Sequence, residues 1–167
     1  TYGGDATHAG STSPILVQVV VLASTSIALV TSENPFSYGA GLTLTGSVTS
    51  GGIGATGSIQ FEDYTSTPSV ILGSCTISAT LCSIVLASPL SIGTHKIKAE
   101  YASDGNYAGS VSSELTQVIT APSADVALVT SKSVIKLGET VTLTVNVAAN
   151  GTTATGTVQL KNGGVNI

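Results

Sequence analysis

Charged residues are scarce in this sequence, where Asp, Glu, Lys and Arg make up only 8% of 167 residues. Long solvated helices need charged side chains on their exposed faces, and the sequence also has no sustained 3.6-residue apolar period. The five basic residues are too few for a cationic surface that binds nucleic acid or anionic lipid. Gly, β-branched and hydroxyl residues fill the chain instead, which predicts strands joined by tight turns.

Aromatic residues are also rare, at 4% of the chain, so few side chains could stack on a sugar. Tyr38 and Tyr64 are the best candidates for exposed contacts with a glycan or surface-protein ligand. Tyr64 is the more suggestive because it lies in a long loop, although a lone loop tyrosine usually packs on its own domain.

The sequence has only two cysteines, Cys75 and Cys82. A two-residue turn at Ser78 and Ala79 would place them opposite each other across a hairpin, where a cross-strand disulfide is geometrically possible. The alternative is two free buried thiols. Metal binding is not expected from two cysteines without further ligands. A disulfide would imply an oxidising, extracytoplasmic compartment.

Catalytic motifs are missing from the sequence: there is no Gly-x-Ser-x-Gly elbow, His-Glu-x-x-His helix or phosphate-binding glycine loop. Glu62 and Asp63 are adjacent on a strand end and point to opposite faces, so they cannot flank one substrate. We interpret His8 and His95 as packed structural residues. We therefore predict that the chain is not an enzyme and needs no cofactor.

A calcium site is a weaker alternative for the turn at residues 104–106. Asp104, Asn106 and the equivalent Asp5 could offer oxygen ligands. One carboxylate and one amide are too few for a complete site, and Asp and Asn beside glycine are ordinary turn residues. We predict no metal site.

The stretch from residue 90 to 110 organises the chain. Its centre alternates strictly: one face carries His95, Ile97, Ala99 and Tyr101, and the other carries Lys96, Lys98 and Glu100. A period of two with one apolar and one charged face is typical of a half-buried antiparallel strand. The approach, Leu90-x-x-Gly93-x-His95, has the spacing of a sandwich corner in which a ring bonds back to the backbone.

The same stretch carries a longer pattern. It reads Gly93-Thr94-His95-x-Ile97-x-Ala99-x-Tyr101-x-x-Asp104-x-Asn106-Tyr107-x-x-Ser110. This pattern resembles the bacterial Ig-like repeats (the group-three type) of large surface and adhesion proteins. The resemblance implies an Ig-like sandwich on a prokaryotic cell surface, but it names no binding partner. His95, Tyr101, Asp104 and Tyr107 are then structural corner and core residues.

An internal repeat appears when the sequence is compared with itself at an offset of 99 residues. The first 68 residues align with the last 68 without a gap, and roughly a third of the positions are identical. Matches include Tyr2 with Tyr101, Asp5 with Asp104, residues 28–32 with 127–131, and residues 55–57 with 154–156. We expect residues 1–20 to end one repeat, 21–120 to form a complete repeat, and 121–167 to begin another.

The strands of the complete repeat can be placed coarsely from the same patterns. The first covers residues 27–31, and the second alternates at Leu42, Leu44, Gly46 and Val48 and ends at Gly51-Gly52. The third covers residues 58–61, with Ile59 and Phe61 pointing inward. We expect residues 70–75 and 82–86 to form the hairpin that carries the cysteines, and strands at 95–101 and 111–119 to complete the sandwich.

The repeat also explains two ambiguous segments. Residues 14–30 are uncharged and resemble a membrane span, but their counterpart at 113–129 contains Glu114, Pro122 and Asp125. No basic segment precedes them, so no signal peptide is visible. Asn150-Gly151-Thr152 fits a glycosylation acceptor, but its counterpart at Gly51-Gly52 is a turn, which we favour here.

We therefore predict an all-β chain of tandem Ig-like sandwiches, one complete and flanked by partial repeats. The expected function is an extracellular structural or adhesion protein that forms a stalk or fibre on the cell surface, with neighbouring repeats as its partners. A first alternative is a filament subunit in which identical chains complete the partial sandwiches by strand complementation. A second is a carbohydrate-binding accessory module of a secreted enzyme.

Overall fold

The computed structural model describes residues 1–39, 41–51, 54–149 and 153–167, and these residues form strands and turns without a helix. The strands are β1 (Thr25–Thr31), β2 (Phe36–Ser37), β3 (Thr43–Ser50), β4 (Ser58–Asp63), β5 (Val70–Thr76), β6 (Leu81–Val85), β7 (Gly93–Tyr101), β8 (Ser110–Val111), β9 (Leu115–Thr120), β10 (Ala124–Thr130), β11 (Leu143–Ala149), β12 (Lys161–Asn162) and β13 (Val165–Asn166). The all-β prediction is confirmed.

Strands β1 to β9 form two sheets that face each other. The first sheet has the order β1-β3-β6, and the second has the order β2-β9-β7-β4-β5, with β8 paired to the end of β7. All of these pairs are antiparallel except β2 with β9, which is parallel. The arrangement is an Ig-like β-sandwich, as the sequence predicts.

The core lies between the two sheets because each strand turns alternate side chains inward. Leu44 from the first sheet and Ile59, Phe61 and Ile97 from the second are all fully buried. Each such side chain contributes about 1.5–3 kcal/mol relative to an exposed one. The predicted alternation in β3, β4 and β7 is therefore the feature that forms the core.

The predicted hairpin between residues 70–75 and 82–86 is wrong. β5 pairs with β4 in the second sheet, whereas β6 pairs with β3 in the first, so the two strands lie at the same side of the sandwich in different sheets. The predicted single strand over 111–119 is also interrupted. The Ser112 hydroxyl accepts a hydrogen bond from the Ala99 N–H, and residues 112–114 leave the strand geometry between β8 and β9.

Residues 121–167 contain a second copy of the pairing between β1 and β3. Thr25 lies opposite Ser50, and Ala124 lies opposite Ala149, so β10 and β11 pair in the same register 99 residues further along. The side chains of β10 are all exposed. Residues 157–160, the counterpart of most of β4, are not a strand, and a short β12–β13 hairpin follows them.

Two sequence-based interpretations fall partly or wholly outside the described residues. These are the end of the second predicted strand at Gly52 and the turn or glycosylation acceptor at residues 150–152. Within the described part of the chain, no helix is long and apolar enough to cross a membrane.

Candidate functional site

The two cysteines form a disulfide that joins the two sheets. The Cα atoms of Cys75 in β5 and Cys82 in β6 lie 5.8 Å apart, and their sulfur atoms are bonded. The expected pair is therefore present, but it bridges the sandwich rather than a hairpin. The covalent bond fixes the spacing of the two sheets along the side formed by β5 and β6.

A tight turn closes the loop beside this disulfide. Ser78 and Leu81 exchange two backbone hydrogen bonds, of 3.0 and 3.3 Å, so the turn residues are Ala79 and Thr80. Ala79 has a φ of 61°, in the left-handed region that side chains other than glycine rarely adopt. The turn is therefore one residue further along the chain than the sequence predicts.

His95 begins the inward face of β7 and is almost completely buried, with 7% of its surface exposed. Its Nδ1 lies 2.6 Å from Oδ2 of Asp63, and its Nε2 lies 2.9 Å from the carbonyl oxygen of Ser91. The second contact is the backbone bond that the corner spacing predicts. The imidazole thus ties the loop before β7 to the end of β4.

Asp63 is the second half of this buried pair. Its Oδ1 accepts hydrogen bonds from the backbone N–H of Thr65, at 2.9 Å, and from the Thr65 hydroxyl. Burial raises the pKa of Asp63, but the hydrogen bonds from Thr65 and His95 outweigh it and hold the pKa below its usual value. Asp63 therefore remains ionised beside the imidazole.

Ser91, His95 and Asp63 have the residue types of a hydrolytic triad, but their geometry favours a structural role. The Ser91 hydroxyl lies 3.4 Å from Nε2, whereas the carbonyl oxygen of the same residue lies 2.9 Å away. A general base must accept the serine proton at Nε2, and here that nitrogen faces a closer acceptor.

Asp104 organises the loop between β7 and β8. Its Oδ1 accepts hydrogen bonds from the backbone N–H groups of Asn106 and Tyr107, at 2.8 and 2.7 Å. Its Oδ2 accepts from the backbone N–H and the hydroxyl of Thr56, at 3.0 and 2.9 Å. These bonds hold the pKa of Asp104 well below its usual range, and the bond from the Thr56 N–H has the largest effect. Oδ1 thus holds the Asp104 loop itself, and Oδ2 joins this loop to the segment before β4.

The two tyrosines of the predicted pattern lie in the core. Tyr101 at the end of β7 is 1% exposed and Tyr107 is 6% exposed. Burial raises the pKa of Tyr101. Its hydroxyl has no hydrogen-bond partner among the residues that the structure describes.

The loop at residues 2–11 has the same geometry as the loop at 101–110. Oδ1 of Asp5 accepts hydrogen bonds from the N–H groups of Thr7 and His8, as Asp104 does from its own loop. A Cβ on Gly10 would lie 2.9 Å from the Tyr2 carbonyl oxygen, and a Cβ on the equivalent Gly109 would lie 2.9 Å from that of Tyr101. Glycine is therefore required at the same point of both loops.

His8 differs from the sequence interpretation in its surroundings. It is exposed, and its Nδ1 lies 3.0 Å from the Asp5 carboxylate and 2.8 Å from the Thr7 hydroxyl. The ring therefore contacts its own loop and is not packed in a core.

The segment that enters the complete repeat is held against the Asp104 loop. The Ala23 N–H donates to the carbonyl oxygen of Asn106, and its own carbonyl accepts from the Ala108 N–H, both at 2.9 Å. A surface depression of about 380 Å³ lies beside this contact, lined by Ala23, Gly54, Thr56, Asp104, Asn106 and Tyr107. The loop thus fixes the direction in which the chain enters the sandwich.

The predicted aromatic contact residues are not free platforms. Tyr38 packs partly buried against the core. Tyr64 is 39% exposed, but the Lys98 ammonium lies over its ring, 5.0 Å from the centroid. Within the described ranges, no group of three or more His, Cys, Asp or Glu side chains could hold a metal ion.

Sequence reasoning missed the partners of the predicted residues. Asp63 follows Ile59 and Phe61 at the same two-residue spacing, and this alternation already places it on the inner face with His95. Thr56 gave no comparable signal, because it reaches Asp104 from a loop 48 residues away in the sequence.

The comparison with known protein families agrees with the geometry. A search of curated proteins found no match to the chain. Residues 29–120, more than half of the chain, match the family described as bacterial Ig-like domain (group 3), and the matched range covers almost all of the sandwich from β1 to β9. The chain therefore belongs to the bacterial Ig-like (group 3) family.

Proposed function

We propose that this chain is part of an extracellular structural protein in which tandem Ig-like repeats form a stalk on a cell surface. The observation that carries the proposal is the recurrence of local geometry at 99 residues. The register of β1 with β3 recurs in β10 with β11, and the loop at 2–11 recurs at 101–110. Fixed recurrence of paired strands and loops is typical of repeat arrays.

Burial supports the division into an ending repeat, a complete repeat and a beginning repeat at 1–20, 21–120 and 121–167. Ile27 and Val48 of the complete repeat are 8% and 3% exposed, whereas their counterparts Val126 and Val147 are 63% and 42% exposed. The same apolar positions thus recur in β10 and β11 without the second sheet that covers them in the complete repeat. Such a face requires a covering sheet to be stable.

The mechanism proposed for the stalk is the addition of rigid units through short linkers. The two backbone hydrogen bonds of Ala23 limit bending where the chain enters the complete repeat. The next linker has Pro122 at the position that corresponds to Ala23, and proline restricts φ while it removes the N–H donor. We expect both linkers to be stiff, and each repeat to add its own length.

The extracellular location is part of the same proposal. A disulfide persists in oxidising compartments, and the Cys75–Cys82 bond crosses between the two sheets. Family membership also favours a surface protein. Adhesion would then come from the array as a whole or from another domain at its tip.

Single-molecule force spectroscopy on the native, non-reduced protein tests the proposal. Unfolding one repeat of 99 residues should lengthen the chain by roughly 30 nm, and a stalk should give several such steps. In the complete repeat, reductant should add about 2 nm by releasing the residues between the cysteines. A single step, or steps of unrelated lengths, would argue against an array.

The filament alternative has one specific observation in its favour. The stretch 15–22 corresponds to β9 and the linker after it, is not paired as a strand, and exposes Ile15, Leu16 and Val20 at 87–93%. It could supply a last strand to the uncovered sheet of another copy. Residues 121–167 and 1–20 together still lack the counterpart of residues 69–99, so we favour the array. Fibres formed by the purified 167-residue chain would reverse this preference.

A further inference from the structure

One side of the complete sandwich carries no charge. From Tyr64 to Thr94 the sequence contains no Asp, Glu, Lys, Arg or His. This run includes β5 and β6, which are the last strands of the second and the first sheet on the same side of the molecule. The nearest charges in the sequence lie on β4 and β7, in the interior of the second sheet. We call residues 70–76 and 81–92 the uncharged edge.

Both strands of the uncharged edge are paired on one side only. β5 pairs with β4, and β6 pairs with β3, among the strands that the structure describes. Alternate backbone N–H and C=O groups of an edge strand point away from the sheet, where another strand can bind them. Natural sheets protect such an edge with charged side chains, bulges or covering segments. This edge has no charged side chain, and β5 has a bulge where Phe61 and Glu62 pair with Gly73 and Ile71.

The side chains of the uncharged edge are apolar and exposed. Val70 and Ile71 in β5 are 53% and 64% exposed, and Val85 in β6 is 65% exposed. A groove of about 330 Å³ lies between the start of β5 and the segment after β6, lined by Val70, Ile71, Leu72, Leu86, Pro89 and Leu90 among others. Contiguous apolar surface beside a free strand edge is typical of an interface.

We propose that the uncharged edge is a self-association surface, on which β5 pairs antiparallel with β5 of a second copy of the chain. The free backbone groups require a β-strand as the occupant. The lack of charge means that two identical copies do not repel each other there, although the whole chain carries a net charge of −4. In a two-fold dimer, β5 of each copy donates backbone hydrogen bonds to β5 of the other and accepts them from it. Two-fold dimers are the commonest closed oligomers.

The pairing would extend the second sheet across two sandwiches and cover Val70 and Ile71 in both. It does not depend on the exposed segment 15–22 or on the uncovered face of β10 and β11. In a stalk, the same contact would join neighbouring stalks side by side, because the sandwich ends remain free for the linkers. This self-association is independent of the stalk and can be tested separately.

Sedimentation velocity of the oxidised 167-residue chain over a range of concentrations tests the proposal. We expect a monomer–dimer equilibrium, and we expect Val70→Lys to raise the dissociation constant tenfold or more because it puts a charge on apolar surface that the pairing covers. Val111→Lys is the matched control, since Val111 on β8 is 56% exposed and lies outside the uncharged edge. Leu16→Lys tests the 15–22 segment, and neither control should change the dissociation constant.

A second measurement needs no variant. Amide hydrogen exchange of residues 70–76 should slow as the chain concentration rises through the dissociation constant, while exchange in β8 stays the same. The proposal is wrong if the chain remains monomeric at about 1 mM. It is equally wrong if Leu16→Lys separates the dimer while Val70→Lys does not, because the 15–22 segment would then be the contact. A partner strand that comes from a different protein would also contradict it.

Discussion

Removing the disulfide should destabilise the complete repeat by an amount that can be worked out from its position. Cys82 follows Cys75 by seven positions, and closing so short a loop lowers the entropy of the unfolded chain by roughly 8 cal/mol/K, or about 2.4 kcal/mol at 25 °C. Cys82 is 6% exposed, so its sulfur also fills core space, and its loss adds about 1 kcal/mol. We expect Cys75→Ala/Cys82→Ala to lose about 3 kcal/mol of unfolding free energy.

Urea unfolding followed by circular dichroism at 25 °C measures this loss, with and without reductant. Reductant should lower the stability of the wild-type chain by about 2 kcal/mol and leave the double variant unchanged, which makes the variant its own control. A loss below about 1 kcal/mol would refute the reasoning, because the bond would then do little to restrict the unfolded chain. A loss above about 6 kcal/mol would also refute it, since the fold would depend on the bond rather than on its core.

Three further predictions concern the core, the buried Asp63–His95 contact and the Asp104 loop. Ile97→Ala should cost about 2–5 kcal/mol in urea unfolding, whereas Ile92→Ala at an exposed position should change stability by less than about 0.5 kcal/mol; equal effects would contradict the assigned core. Asp63→Asn should cost about 1.5–3 kcal/mol at pH 7, because it weakens the hydrogen bonds that the carboxylate makes with His95 and Thr65, and Glu62→Gln on the opposite face should cost much less. Folding lowers the pKa of Asp63, so the ionised carboxylate adds to the free energy of unfolding above about pH 4. This contribution is lost as the pH falls further, and Asp63→Asn should therefore reduce the dependence of the unfolding free energy on pH in acid. Gly109→Ala should lower the melting temperature, because its Cβ would lie 2.9 Å from a backbone oxygen; an unchanged melting temperature would show that the loop adapts freely.

The fold could be predicted where the pattern is local. The alternation of β7 assigns His95, Ile97 and Tyr101 to one face, and the structure buries all three. Turn chemistry at Asp104 likewise depends on residues within a few positions of each other, so sequence spacing is enough to find it.

The sequence-based predictions fail where the pairing of a strand depends on which of the two sheets it joins. The short spacing of Cys75 and Cys82 in the sequence predicts that they pair. It does not distinguish a hairpin within one sheet from a connection between two sheets. β5 and β6 separate because the inner strands β4 and β3 each offer a free edge. Pairing of this kind is set by contacts far apart in the chain, which a single sequence does not reveal.

The partners within the candidate site illustrate the same limit. Asp63 lies 32 residues from His95, and only its place in the alternation of β4 connects the two. Thr56 has no pattern that points to Asp104. The corner residues can be predicted from their spacing in the sequence. Their hydrogen-bond partners come from distant parts of the chain and can be identified only in the packed sandwich.

We propose above that the chain is one section of a tandem array. Negative-stain electron microscopy of the native, non-reduced protein, together with its intact mass, tests it most directly. We predict a mass well above the 16.5 kDa of this chain and beaded rods with one bead for each repeat. Regular fibres assembled from chains of about 16.5 kDa would contradict the array, because separate molecules would then complete the partial sandwiches.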